Sequence, residues 1–151
     1  MHETKRVEQD SAPACTEATL EVLETMFFEL PVAQPKMQGK APEPAVAATA
    51  VFSGDLRGSL CVACEPWAAR RLAASFLGRE DESTIAEAEV RLVACEMANM
   101  VCGNALSRIE PHGRFQIVTP VASLTGNEGQ EWLTFPLESG AVAVCLRIAS
   151  L

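Results

Sequence analysis

From about Thr16 to Leu30, the apolar residues Leu20, Leu23, Met26, Phe27 and Leu30 recur at spacings of three and four. That is the period of a half-buried helix, ended by Pro31. Upstream, Met1 to Pro13 mixes charges without an apolar period and reads as a frayed, flexible leader. Residues 1–14 are therefore set apart from a folded unit at 15–151. Pro31, Pro35, Pro42 and Pro44 with Gln34, Gln38 and Gly39 make 31–44 a connecting loop. Val46 to Phe52 and Gly58 to Ala63 are short, apolar and partly β-branched, and Gly54-Asp55 between them supplies a hairpin turn. Pro66 suits the first turn of a second helix through Trp67, Leu72, Phe76 and Leu77, with Gly78 placed to end it. Thr84 followed by Glu87 reads as a capping box, and the apolar pattern then persists to about Ile109 as a long third helix. Beyond Pro111 to Gly113, three strands are expected, Arg114 to Val118, Trp132 to Leu137 and Ala141 to Ile148, arranged as a meander with a turn at Gly126-Asn127-Glu128-Gly129. This order predicts an α+β domain with helices against one face of a sheet.

Turning the third helix through about 100° per residue places Leu92, Glu96, Asn99, Gly103 and Glu110 along one narrow stripe. Val90, Val93, Met97, Met100, Val101, Ala105 and Ile109 occupy most of the remaining circumference and form the face that packs on the sheet. Glu96 and Asn99, three apart, point the same way, so a carboxylate and an amide are presented together. Gly103 costs roughly 1 kcal/mol of helix stability relative to alanine, and its missing side chain would let another backbone come close. The stripe has the character of a docking ridge.

Composition narrows the chemistry. The 151 residues are 48% apolar, enough for one domain with a sizeable core, and carry a formal charge of -8, which argues against a nucleic-acid partner. His2 and His112 are the only histidines and there is no tyrosine, so a His-based metal site or triad is not expected; catalysis would use carboxylates, amides, hydroxyls or thiols. The polar, acidic start lacks the apolar segment of a signal peptide, and no apolar stretch approaches the roughly 18 residues of a membrane span. A reducing cytoplasm is the expected compartment, with the six cysteines as thiols. Cys61-Val62-Ala63-Cys64 falls in a strand and reads as core packing, as do Cys95 and Cys102, whereas Cys15 is expected to be more exposed. Asn104, off the stripe, reads as a backbone cap or a helix-interface residue. Trp67 and Trp132 read as core or edge fillers, and Arg70 and Arg71 as solvated.

The run Ala94-Cys95-Glu96-Met97-Ala98-Asn99-Met100-Val101-Cys102-Gly103-Asn104-Ala105 resembles the signature helix of the CheC/CheX/FliY chemotaxis phosphatases, of form E-x-x-N-x-x-x-G-N. Ile117-Val118-Thr119-Pro120-Val121 is similar to that family's strand ending in a proline, and the element order is closest to the single-site CheX branch. Where relatives often carry Asp or Ser four residues before the Glu, this chain has Leu92. The resemblance implies a CheC-like fold: a mainly antiparallel sheet, helices packed on one face, and one long helix carrying Glu-x-x-Asn. It also implies dephosphorylation of a phosphorylated CheY-like receiver domain, whose aspartyl phosphate is held with Mg²⁺ in the partner's own active site, so that no cofactor or metal belongs to this chain. Asn99 then orients the attacking water and Glu96 contacts the receiver's active-site lysine, while Leu92 and Gly103 serve partner binding. The alternative is a non-catalytic adaptor that binds a receiver through the same stripe. The resemblance further implies a homodimer paired through edge strands, a role the long apolar run Ala141 to Ile148 suits.

Overall fold

In the computed structural model, which describes residues 2–123 and 130–149, alternation along the central strands sends one set of apolar side chains to the helix-covered face of a sheet and a second, smaller cluster to the other. The elements in chain order are α1 (His2–Phe27), β1 (Lys36–Gln38), β2 (Val46–Gly54), β3 (Gly58–Cys64), α2 (Pro66–Leu77), α3 (Glu87–Ile109), β4 (Phe115–Ile117), β5 (Val121–Ser123), β6 (Trp132–Leu137) and β7 (Gly140–Ile148). Every pairing is antiparallel, in the order β1-β6-β7-β3-β2-β4, and β5 joins the same strand, β2, further along it. The α+β class, the antiparallel sheet and the helices on one face are as read from the sequence.

Ala48, Ala50 and Phe52 of β2, Leu60 and Val62 of β3, Leu133 and Phe135 of β6, and Val142 and Val144 of β7 meet the helices. Leu23 and Phe27 of α1, Leu72 of α2 and Met97, Val101 and Leu106 of α3 close on them. Each such large side chain contributes roughly 2 kcal/mol on burial. On the opposite face Ala47, Cys61, Ala63, Ala143 and Cys145 gather around buried Trp132, with Ala41 and Ala45 packed against them. Cys61 and Cys64, three apart on one strand, therefore point to opposite faces, which removes any Cys-x-x-Cys chemistry.

The hairpin of β2 and β3 pairs Val46 with Cys64 and Phe52 with Gly58, as its turn chemistry predicts. Gly54 sits at φ 128°, and a Cβ there would collide with the Arg114 carbonyl, so only glycine fits. Pro66 opens α2, and Gly78 ends it in the left-handed region. For α3 the span Glu87–Ile109 is as expected but its cap is not: Thr84 closes a single 3₁₀ turn, Glu82–Thr84, and the Glu89 carboxylate accepts from the Ala86 N–H at 3.0 Å. The back-bonding half of the capping box is thus made two residues later.

Several expectations are corrected, among them the connecting loop 31–44, within which Lys36–Gln38 pairs with β6 as β1. His2 to Ala14 are the first half of α1 rather than a flexible leader, because Val7, Ala14, Cys15 and Ala18 form a thin buried line too sparse and small-sided to register as an apolar period. Cys15 is accordingly buried, and burial pushes its thiol up to about 12. α1 also stops at Phe27, three residues short of Leu30, with Phe28 in the left-handed region. The last three predicted strands do not form a meander: β6 and β7 are a hairpin, but β4 crosses to the far edge and pairs with β2. Finally, β7 is an interior strand between β6 and β3, so it cannot be the edge that pairs chains; the outer strands are β1 and the β4–β5 side. The expected Gly126–Gly129 turn lies outside the described residues.

Candidate functional site

α3 is built from strong helix formers, and ten of its side chains from Val90 to Ile109 are buried. Burial of that arc fixes what is left outside. Leu92 is 66% exposed, Glu96 and Asn99 are exposed, and Gly103 is half-buried, so four predicted site residues share one open ridge. Glu96 and Asn99 lie about 4.5 Å apart along the axis and about 60° apart around it. Among the described residues neither side chain has a hydrogen-bond or ion-pair partner, so both groups face outward ready to engage another molecule. Glu96 does reach its neighbour: the Cys95 thiol is pushed up by burial first and by the Glu96 charge second.

Gly103 has no internal packing reason. A Cβ there would meet only the Ile117 side chain at 3.9 Å, an ordinary contact. The fold would accept alanine, and what the glycine leaves bare is the outer surface. Glu110, placed on the stripe by its spacing, leaves it in the structure. It pairs with Arg6, whose guanidinium also donates to the Ile109 carbonyl at 3.0 Å, so Glu110 anchors α1 to the end of α3.

The flank of α3 that faces α1 is closed by a polar clamp. Asn104 donates to the Glu21 carboxylate at 2.7 Å and accepts from Arg108 Nε at 2.7 Å. Arg108 then donates to Glu17 at 2.9 Å and to Glu21 at 2.6 Å. The Asn104 and then the Arg108 hydrogen bonds hold the Glu21 carboxyl below its ordinary value. Of the two readings open for Asn104, helix interface is the one observed. The sequence carried a signal for this clamp in two matched i,i+4 pairs, Glu17/Glu21 and Asn104/Arg108.

Other singled-out residues separate cleanly. Trp132 is core, but Trp67 is 62% exposed on α2. Arg70 and Arg71 are not merely solvated, since Arg70 donates to the Ile85 carbonyl and Arg71 pairs with Glu29 and Glu82. Burial pushes the Cys64 and Cys102 thiols up to about 12, as expected of packing residues rather than nucleophiles. Among the described residues, no three His, Cys, Asp or Glu side chains group as metal ligands, and no helix is long and apolar enough to cross a membrane.

A family profile described as chemotaxis phosphatase CheX matches residues 46–131, more than half of the chain and all of α3. No curated protein matches. Among solved structures, CheX from Borrelia burgdorferi, determined as a CheX-CheY-BeF3-Mg²⁺ complex, is 19% identical, with a TM-score of 0.74 over 93% of this chain and 98% of that one. A CheC-like superfamily protein from Shewanella sp. PV-4 is 20% identical, also at a TM-score of 0.74, over 93% and 98% of the two chains. Chemotaxis protein CheX from Desulfovibrio desulfuricans is 23% identical, at 0.69 over 91% and 98%. These likenesses show the shared fold.

Proposed function

We propose that this chain, which belongs to the CheX family of chemotaxis phosphatases, removes the phosphoryl group from the active-site aspartate of a CheY-like receiver domain in the cytoplasm. The observation that carries the reading is the Glu96–Asn99 pair, outward-facing and without internal partners on a bare ridge of α3. A receiver docked on that ridge meets Leu92 as an apolar contact and Gly103 as a gap for close backbone approach. The Asn99 carboxamide then holds a water in line with the phosphorus. The water oxygen bonds to phosphorus, the bond to the aspartate oxygen breaks, and inorganic phosphate and a free carboxylate remain. Positioning and charge stabilisation supply most of the acceleration in such transfers, so a single amide suffices without a general base. Glu96 accepts a charge-assisted bond from the receiver's lysine and fixes the docking register. Mg²⁺ is supplied by the receiver's own acidic pocket.

The test is the decay of a phosphorylated CheY-like receiver with Mg²⁺ and substoichiometric protein. Wild type accelerates decay, Asn99→Ala loses the acceleration by about 10²-fold or more while still binding, and Glu96→Ala loses both activity and affinity. Binding without any turnover by wild type would establish the adaptor instead. The homodimer is part of the same proposal, now through an outer strand, β1 or the β4–β5 side, rather than β7. Light scattering at micromolar concentration reads it directly, and a monomer there removes it.

A further inference from the structure

The edge strand beside α3 is broken next to the ridge. β4 pairs Ile117 with Phe52, the Val118 N–H donates to the Val51 carbonyl at 2.8 Å, and β5 resumes with Val121 opposite Thr49. Two residues, Thr119 and Pro120, therefore stand opposite Ala50 alone, which is a β-bulge on a sheet edge. Bulges at such places re-aim a side chain. Alternation sets the direction here: Ile117 is on the helix-covered face with Phe52, Val118 is on the far face with Val51, and Thr119 returns to the side of α3.

This edge runs antiparallel to α3, and a contact at each end fixes the alignment. At one end a Cβ on Gly103 would lie 3.9 Å from Ile117 Cδ1; at the other, Ala122 shares a cavity wall with Val90 and Arg91. Gly103 to Val90 is about 20 Å of helix and Ile117 to Ala122 about 17 Å of strand, so the two segments keep pace. Thr119, two residues beyond Ile117, falls level with Ala98 and Asn99. Around the helix, Asn99 lies between Gly103 and the buried Leu106 and Cys102, on the flank away from the clamp with α1, and so leans toward this strand.

Thr119 is exposed, and like Asn99 its side chain has no partner among the described residues. A hydroxyl and a carboxamide, both unpaired, thus border one groove between α3 and the bulge. Polar groups set across a groove are bridged by water, and an ordered water takes two to four hydrogen bonds, whereas a single amide contact leaves it free to turn. We infer that Thr119 is a further catalytic residue, its hydroxyl accepting a hydrogen bond from the same water that the Asn99 carboxamide holds in line with the phosphorus. The inference rests on the receiver-phosphatase reading and deepens it. No bond or proton transfer is added to the displacement already described: the hydroxyl keeps its proton and fixes the direction in which the water attacks.

The experiment uses the full chain, Mg²⁺ and whichever phosphorylated CheY-like receiver wild type turns over fastest. Thr119→Val keeps the branched shape and removes the hydroxyl, whereas Thr119→Ser keeps the hydroxyl and removes a methyl. Thr119→Val is expected to lower kcat about tenfold, the effect of about one hydrogen bond, with KM unchanged. Thr119→Ser is expected to keep most of the wild-type kcat, and both variants the wild-type unfolding midpoint. An unchanged kcat in a folded Thr119→Val overturns the inference while the phosphatase stands. A rise in KM alone also overturns it, making Thr119 a docking contact, as does an equal loss of kcat in Thr119→Ser, which makes the effect one of shape. If Thr119→Val fails to fold, Thr119→Ala against Thr119→Ser decides. Absence of turnover by wild type with every receiver tried overturns the phosphatase and this inference with it.

Discussion

Two flanks of α3 carry the same pair of side-chain chemistries in opposite circumstances. On the clamp, Asn104 has both ends of its amide occupied by Glu21 and Arg108, and the carboxylate and guanidinium are in turn shared with neighbours. On the ridge, Glu96 and Asn99 have no partner among the described residues. A satisfied amide rigidifies a helix pair; an unsatisfied one on a rigid helix keeps its hydrogen-bonding capacity for something else. The clamp thus supports the ridge by holding the helix on which it stands.

Removing the amide from each flank sharpens that contrast most. Asn99→Ala is expected to abolish turnover without moving the unfolding midpoint, and Asn104→Ala to lower the midpoint by a few degrees while turnover survives. Parallel melts and phosphate-decay assays read both, and equal loss of activity in the two variants would break the distinction. A smaller effect comes at Gly103. Gly103→Ala adds helix stability of up to about 1 kcal/mol, because its Cβ meets only Ile117 at ordinary distance, yet it weakens receiver binding. Urea melts and a binding titration are expected to move in opposite directions, and unimpaired binding would remove Gly103 from the interface. The smallest effect is the pH response of the clamp. Glu21 has its folded-state carboxyl lowered by Asn104 and Arg108, so its stabilising contribution is present above the unfolded-state value near 4.5 and is lost as pH falls through the lower folded-state value. Glu21→Gln is therefore expected to flatten the acid side of the stability curve, and an unchanged slope would count against the clamp.

Much of this was legible from residue patterns. The α3 span, the β2–β3 hairpin, the α2 limits and the ridge all follow from local periodicity and turn chemistry, which act over a few residues. The ridge residues were legible because a buried helix that keeps one polar stripe is conspicuous. The first half of α1 was not, since Val7, Ala14 and Ala18 bury against other elements through small side chains that carry little hydrophobic signal. Glu110 lay on the stripe by angle, but Arg6, more than a hundred residues away, recruits it to the α1 anchor.

The sequence by itself determined the α2 and α3 spans, the β2–β3 hairpin, which face of α3 stays open and which two side chains stand there, because helix and strand periods are local consequences of backbone geometry. Only the tertiary structure decided that β4 and β5 cross to β2, that β7 lies inside the sheet, that Asn104 is clamped while Asn99 is free, and that a pocket opens beside Arg91. Those outcomes depend on which distant surfaces meet, and contacts between residues far apart in the chain leave no periodic trace in it.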